Sequence, residues 1–198
     1  MIRIVAILTA ALAGLALGGC VIVREAAGPA PAAAAMTSPD AEAARRPIDL
    51  RRTTLLVRDM DASLALYEGA LGLEKYYDQF ITSRDGTSRS RLVLLRANDP
   101  NIGVLGLWEL ETASQAPPPD FGEELVPGEI VLLFNTSQLD TVFPAAAATP
   151  GVSVLSEPVL REYPGEGVTY RVMVSMLRDP DGHIVELNHR LSPPLEWD

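Results

Sequence analysis

Leu55-Leu56-Val57-Arg58-Asp59-Met60-Asp61-Ala62-Ser63-Leu64-Ala65-Leu66-Tyr67 changes its hydrophobic pattern in the middle. Up to Val57 the residues suit an extended strand beginning at Leu50. Beyond Arg58, Asp59 and Asp61 offer helix-capping carboxylates ahead of the apolar positions Leu64, Leu66, Tyr67, Ala70 and Leu71. Gly72 is placed to end that helix, because glycine tolerates the left-handed backbone of a helix terminus. Three strand-like runs follow, Glu74 to Phe80, Arg89 to Arg96 and Gly103 to Leu110, separated by the turns Arg84-Asp85-Gly86 and Asn98-Asp99-Pro100-Asn101. The order is β-α-β-β-β.

After a proline-rich connector from Thr112 to Pro127 the same order returns. Glu129 to Phe134 reads as a strand, Ser137 to Ala148 as a helix capped by Thr136 or Ser137, and Val152 to Leu160, Val168 to Leu177 and His183 to His189 as strands. The last two are joined by Asp179-Pro180-Asp181-Gly182, a turn by composition. A shift of 77 residues lays Arg52 on Glu129 and Trp108-Glu109-Leu110 on Val185-Glu186-Leu187. The reading is an α+β domain over residues 48–198 built from two β-α-β-β-β modules, 48–111 and 128–190, that complete each other's core.

The stretch from Leu55 to Tyr67, followed by Ala70-Leu71-Gly72-Leu73, resembles the opening strand and helix of the vicinal oxygen chelate superfamily. That family includes glyoxalase I, bleomycin-resistance proteins, fosfomycin-resistance enzymes and extradiol dioxygenases. Arg178-Asp179-Pro180-Asp181-Gly182-His183-Ile184-Val185-Glu186-Leu187 resembles its closing hairpin. The resemblance spans Leu50 to Arg190 and implies a curved, cup-like mixed sheet. It also implies a small-molecule ligand, with a divalent metal in many members held by the first and last strands of each module. Carried over, the metal positions are Arg52, Glu109, Glu129 and Glu186.

Arg52 departs from that pattern, because a guanidinium has no lone pair to give and stays protonated in proteins. None of the four positions holds a histidine, which disfavours the two-histidine, one-carboxylate iron site of the dioxygenases. Glu109, Glu129 and Glu186 together would suit a hard cation such as magnesium, manganese or calcium. The alternative is a metal-free pocket in which Arg52 itself offsets the three carboxylates. Crowded carboxylates raise one another's pKa, as a general base near neutral pH requires. Glu186 is the first choice for that base and Glu109 the second. The same three residues also suit an internal salt-bridge network. Trp108, next to Glu109, is expected on the helix-facing side, and His183 at a surface or sheet edge. The segment Arg161 to Gly167 reads as either a flap or a plain hairpin loop.

Composition bounds the rest. The chain has 198 residues, 47% hydrophobic and 21% charged, with a formal net charge of −10. These are globular values, and an acidic chain repels the phosphate backbone a nucleic-acid binder must neutralise. No nucleic-acid partner is expected. One cysteine excludes a disulfide framework, and two histidines leave little for a histidine-built metal site. Residues 1–19 have the layout of an export signal, with Arg3 ahead of an apolar run. Leu17-Gly18-Gly19-Cys20 resembles the lipobox of bacterial lipoproteins, which implies lipidation of Cys20. A plain membrane helix is the alternative, since the apolar run continues through Val23. Residues 20–47 are rich in Ala and Pro and read as a tether. The domain is thus expected in the cell envelope, anchored to a membrane and facing the periplasm or exterior.

Two functions follow from the resemblance. One is lyase or isomerase chemistry on a small carbonyl compound through Glu186 or Glu109. The other is non-catalytic binding of an apolar or cationic small molecule, as in bleomycin-resistance proteins, with a homodimer left open. No basic residue stands between Arg96 and Arg161, a span with nine acids, so anionic ligands are disfavoured on that side.

Overall fold

Both β-α-β-β-β runs are present in the computed structural model, which describes residues 48, 50–99, 101–111, 122 and 124–195. The expected export signal (1–19), Cys20 and the tether (20–47) lie outside the described residues. The fold belongs to the unit Pro47–Asp198. In the first module β1 (Arg52–Val57) leads into the helix α1 (Met60–Leu64), which continues as a wider π-helical stretch, Ala65–Ala70. The strands β2 (Glu74–Thr82), β3 (Arg89–Arg96) and β4 (Val104–Leu110) follow. The second module repeats the plan with β5 (Val131–Asn135), α2 (Leu139–Ala147), β6 (Ser153–Gly165), β7 (Val168–Arg178) and β8 (Ile184–Ser192).

Each module forms one four-stranded sheet, ordered β1-β4-β3-β2 and β5-β8-β7-β6. The first and last strands of each module run parallel, and the remaining pairs are antiparallel. A parallel pair cannot be closed by a hairpin, so the helix and two strands between them supply the long crossover it needs.

Local sequence explains the helix ends. Asp59 accepts the backbone N–H groups of Asp61 and Ala62, both at 3.0 Å, as an N-cap should. Gly72 sits at φ +73° just past the π-helical stretch, where the Leu71 N–H reaches back five residues to the Leu66 carbonyl at 2.9 Å. The second helix begins later than its sequence suggests. Gln138 is its N-cap and makes no side-chain capping bond, because Thr136 Oγ1 instead accepts the Gln138 N–H at 3.0 Å in a tight turn before it. Residues 161–165 belong to a regular ladder, with Arg161 opposite Val172 and Gly165 opposite Val168. The segment is therefore the tip of a hairpin.

On each sheet one face packs against helix. Leu55, Val57, Val93, Leu95, Leu105 and Leu107 of the first sheet share a core with Leu177, Val185 and Leu187 of the second, and Leu66, Tyr67, Leu139 and Phe143 fill the layer with them. The opposite faces are open. Along β1, Leu55 and Val57 are buried while Leu56 between them is 56% exposed, the alternation of a half-buried strand.

Candidate functional site

The two stretches that carry the family signature meet in space. The β7–β8 turn docks on the start of α1. Asp181 Oδ1 accepts the Arg58 backbone N–H at 3.1 Å and its Nε at 2.8 Å, and the same guanidinium reaches the Pro180 carbonyl at 2.6 Å. Tyr67 donates its hydroxyl to Asp179 Oδ2 at 2.8 Å, while Asp179 Oδ1 takes the N–H groups of Asp181 and His183. Tyr67 and Asp179 are both buried. Burial pushes the Asp179 carboxyl above the usual carboxylate range, against the opposing pull of His183 and the Tyr67 hydroxyl. Burial likewise raises Tyr67, helped by the charge of Asp179. This network clamps module to module and fixes where β8 begins.

Beside the clamp lies a cavity of 360 Å³, lined by residues 54–56 of β1, residues 128–130 ahead of β5, and residues 182–184 at the start of β8. Its side chains are mostly aliphatic, with Thr54, Glu129 and His183 the polar exceptions. His183 Nε2 lies 3.3 Å from the Leu56 carbonyl oxygen across the module junction. The expected edge histidine thus holds β1 against β8 and also lines the cavity.

The four family metal positions do not converge. Glu109 stands on the helix-facing side of β4, opposite Val57 and Arg91, and its Oε1 accepts the Met60 backbone N–H at 3.0 Å. It completes the cap of α1 from a neighbouring strand and is removed from the open face. Glu129 ion-pairs with the buried Arg178 at 2.6 Å, and its other oxygen accepts the Val126 N–H at 2.7 Å. The Arg178 hydrogen bond holds Glu129 below the usual carboxylate range. Arg52 forms no ion pair among the described residues; its aliphatic stem lies over Gly106, where an added Cβ would come within 3.3 Å of its Cδ. Glu186 stands on the open face, where Asn188 Nδ2 donates to its Oε1 at 2.7 Å. Among the described residues no three His, Cys, Asp or Glu side chains gather as a metal site would require. The residues at these positions do not fit the metal that the resemblance implies, and the cation beside Glu129 is Arg178 where Arg52 was expected.

A one-residue offset explains the misplaced glutamate. The 77-residue shift correctly lays Leu56 on Leu133, both exposed on the open face. Their partners on the last strands, however, are Trp108 and Glu186. Trp108, 40% exposed, therefore occupies in the first module the position Glu186 holds in the second. The expectation that it faces the helix is reversed, since a slip of one residue moves every side chain of a strand to the other face. Arg178 and Trp108 are among the site residues that the sequence reading missed. The alternation of Trp108 with the apolar Leu105 and Leu107 was the signal available for the second.

A family model described as the Glyoxalase/Bleomycin resistance protein/Dioxygenase superfamily matches residues 49–187. The chain belongs to that superfamily. Among solved structures, a glyoxalase family protein of Bacillus cereus is similar at 16% identity and a TM-score of 0.54, over 76% of this chain and 99% of its own. A glyoxalase/dioxygenase of Nostoc punctiforme is similar at 21% identity and a TM-score of 0.51, over 73% and 92%. Such likenesses speak to the glyoxalase-like fold alone. Among curated proteins none matches the chain.

Proposed function

We propose that this glyoxalase-like domain binds a small organic molecule in the cavity between its modules, without metal-dependent turnover. The observation that carries this reading is the dispersal of the carboxylates: Glu109 caps a helix, Glu129 is held by Arg178 and the Val126 N–H, and a mainly aliphatic cavity of 360 Å³ remains beside them. A cavity of that size with a few polar groups is of the kind that holds small ligands. We further propose that residues 1–19 export the chain and that Cys20 anchors it by acyl chains in the cell envelope.

Glu186 supports a second reading. It stands on the open face with Asn188 orienting one oxygen, an arrangement that suits a general base removing a proton next to a carbonyl, as in lyase or isomerase chemistry. The two readings separate when the protein is offered small aldehydes, their thiol adducts and uncharged aromatic compounds, with product formation and calorimetric binding followed side by side. Binding without product supports the first. Turnover that disappears in Glu186→Gln replaces it with the second.

A further inference from the structure

We infer that the cavity, together with a shelf formed by Leu56 and Trp108, accepts an uncharged, flat apolar molecule bearing a single hydrogen-bonding group. The inference rests on the small-molecule reading above and names the ligand class for that site. Leu56 lines the cavity and is directly paired with Trp108 on the open face of the first sheet. These two side chains are 56% and 40% exposed, so they give the cavity an aliphatic and aromatic extension. An indole face stacks well on another flat π-system.

Charge decides what kind of molecule fits. No Lys or Arg lines the cavity, so an anion seated in it would find no counter-ion among the lining side chains; Arg52, on the same face of β1, lies over Gly106 instead. Its one carboxylate, Glu129, has one oxygen on Arg178 and the other on the Val126 N–H, so a cation would find that charge already matched. A bare ion taken from water into such a site keeps most of its desolvation cost. The remaining polar side chains are Thr54 and His183. Among the described residues the Thr54 hydroxyl makes no hydrogen bond. In the tautomer that donates from Nε2 to the Leu56 carbonyl, His183 keeps Nδ1 as an acceptor. One polar group on the ligand matches this inventory.

The test uses two dyes with the same anilinonaphthalene skeleton, N-phenyl-1-naphthylamine and its anionic counterpart 8-anilino-1-naphthalenesulfonate, titrated into the full-length protein and followed by dye fluorescence. The uncharged dye is expected to saturate at one per chain and to bind at least about tenfold more tightly than the sulfonate. Trp108→Ala should weaken it by about tenfold, Trp108→Phe should restore most of the loss, and Leu56→Glu should abolish saturable binding. Equal affinity for both dyes overturns the inference, as does unchanged affinity in Trp108→Ala with an unaltered circular dichroism spectrum. If the uncharged dye fails to bind while the calorimetric screen finds an ionic ligand, the ligand class is wrong and the small-molecule reading stands. If neither finds a ligand, both fall.

Discussion

Tyr67→Phe removes one oxygen from the middle of the inter-module clamp and leaves the ring in place. The lost bond, 2.8 Å from the hydroxyl to Asp179 Oδ2, joins two buried side chains. Asp179 Oδ1 keeps its two backbone donors, so the loss is that of one hydrogen bond to a charged group, about 1.5–3 kcal/mol. For a domain of this size that corresponds to a fall in Tm of about 4–10 °C. Urea unfolding at pH 7 should show a lower midpoint at unchanged slope. The pH dependence follows from the raised pKa of Asp179. The folded state keeps that proton to higher pH than the unfolded chain does. Ionised Asp179 is the form that needs the Tyr67 donor, so the difference between parent and variant is full above the raised value and shrinks as pH falls through it. Asp179→Asn in a double-mutant cycle should show coupling of at least about 1 kcal/mol. A Tyr67→Phe variant within about 0.5 kcal/mol of the parent at every pH at which the protein folds, or a loss that does not change with pH, would refute the clamp.

Other perturbations test the remaining elements. Alkaline spectrophotometric titration should find one of the five tyrosines silent until the protein unfolds, because burial raises Tyr67 and stability is lost as pH climbs beyond the unfolded tyrosine value near 10. Gly106→Ala should cost about 1–3 kcal/mol by crowding, since its Cβ would meet Thr54 Oγ1 at 2.8 Å; Thr54→Ala in the same chain should recover much of it in chemical denaturation. Glu109→Ala should cost about 1 kcal/mol as the loss of a cap on α1, with dye affinity unchanged. Cys20→Ser should abolish labelling by a palmitate analogue, and a parent that takes up no label would rule out the lipid anchor.

Much of the fold was legible because local signals and the repeat agreed with each other. Asp59, Gly72 and the Asp179 to Gly182 turn each stand where the chain's chemistry requires a cap, a terminator and a turn. β3 begins and ends at the residues its hydrophobic pattern suggests, and β6 runs five residues beyond its expected end because the hairpin ladder continues to Gly165. The site was less legible, for a reason of register. Sequence spacing aligned Glu109 with Glu186 because both are glutamates in similar strings, whereas pairing to the first strands places Trp108 there. The alternation of Trp108 with Leu105 and Leu107 marks the face, but a match of glutamate to glutamate one residue away competes with it. The partner of Glu129 was hidden for a different reason. Arg178 precedes a generic turn, and nothing in its neighbours reveals that it bonds the carbonyls of Gly122 and Gly182 as well as Glu129.

Glu109 and Glu186 stand on opposite sides of their sheets, one capping α1 and the other on the open face, so the proposed ligand is organic and no shared metal is expected. The decisive measurement is calorimetric titration of manganese, nickel and zinc into the chelator-treated full-length protein. No stoichiometric site is expected, and the parent, Glu109→Gln and Glu186→Gln should give identical traces. A one-to-one site that is lost in both variants would bring Glu109 and Glu186 to one ion and contradict the register that pairs Trp108 with Leu56 and Glu186 with Leu133.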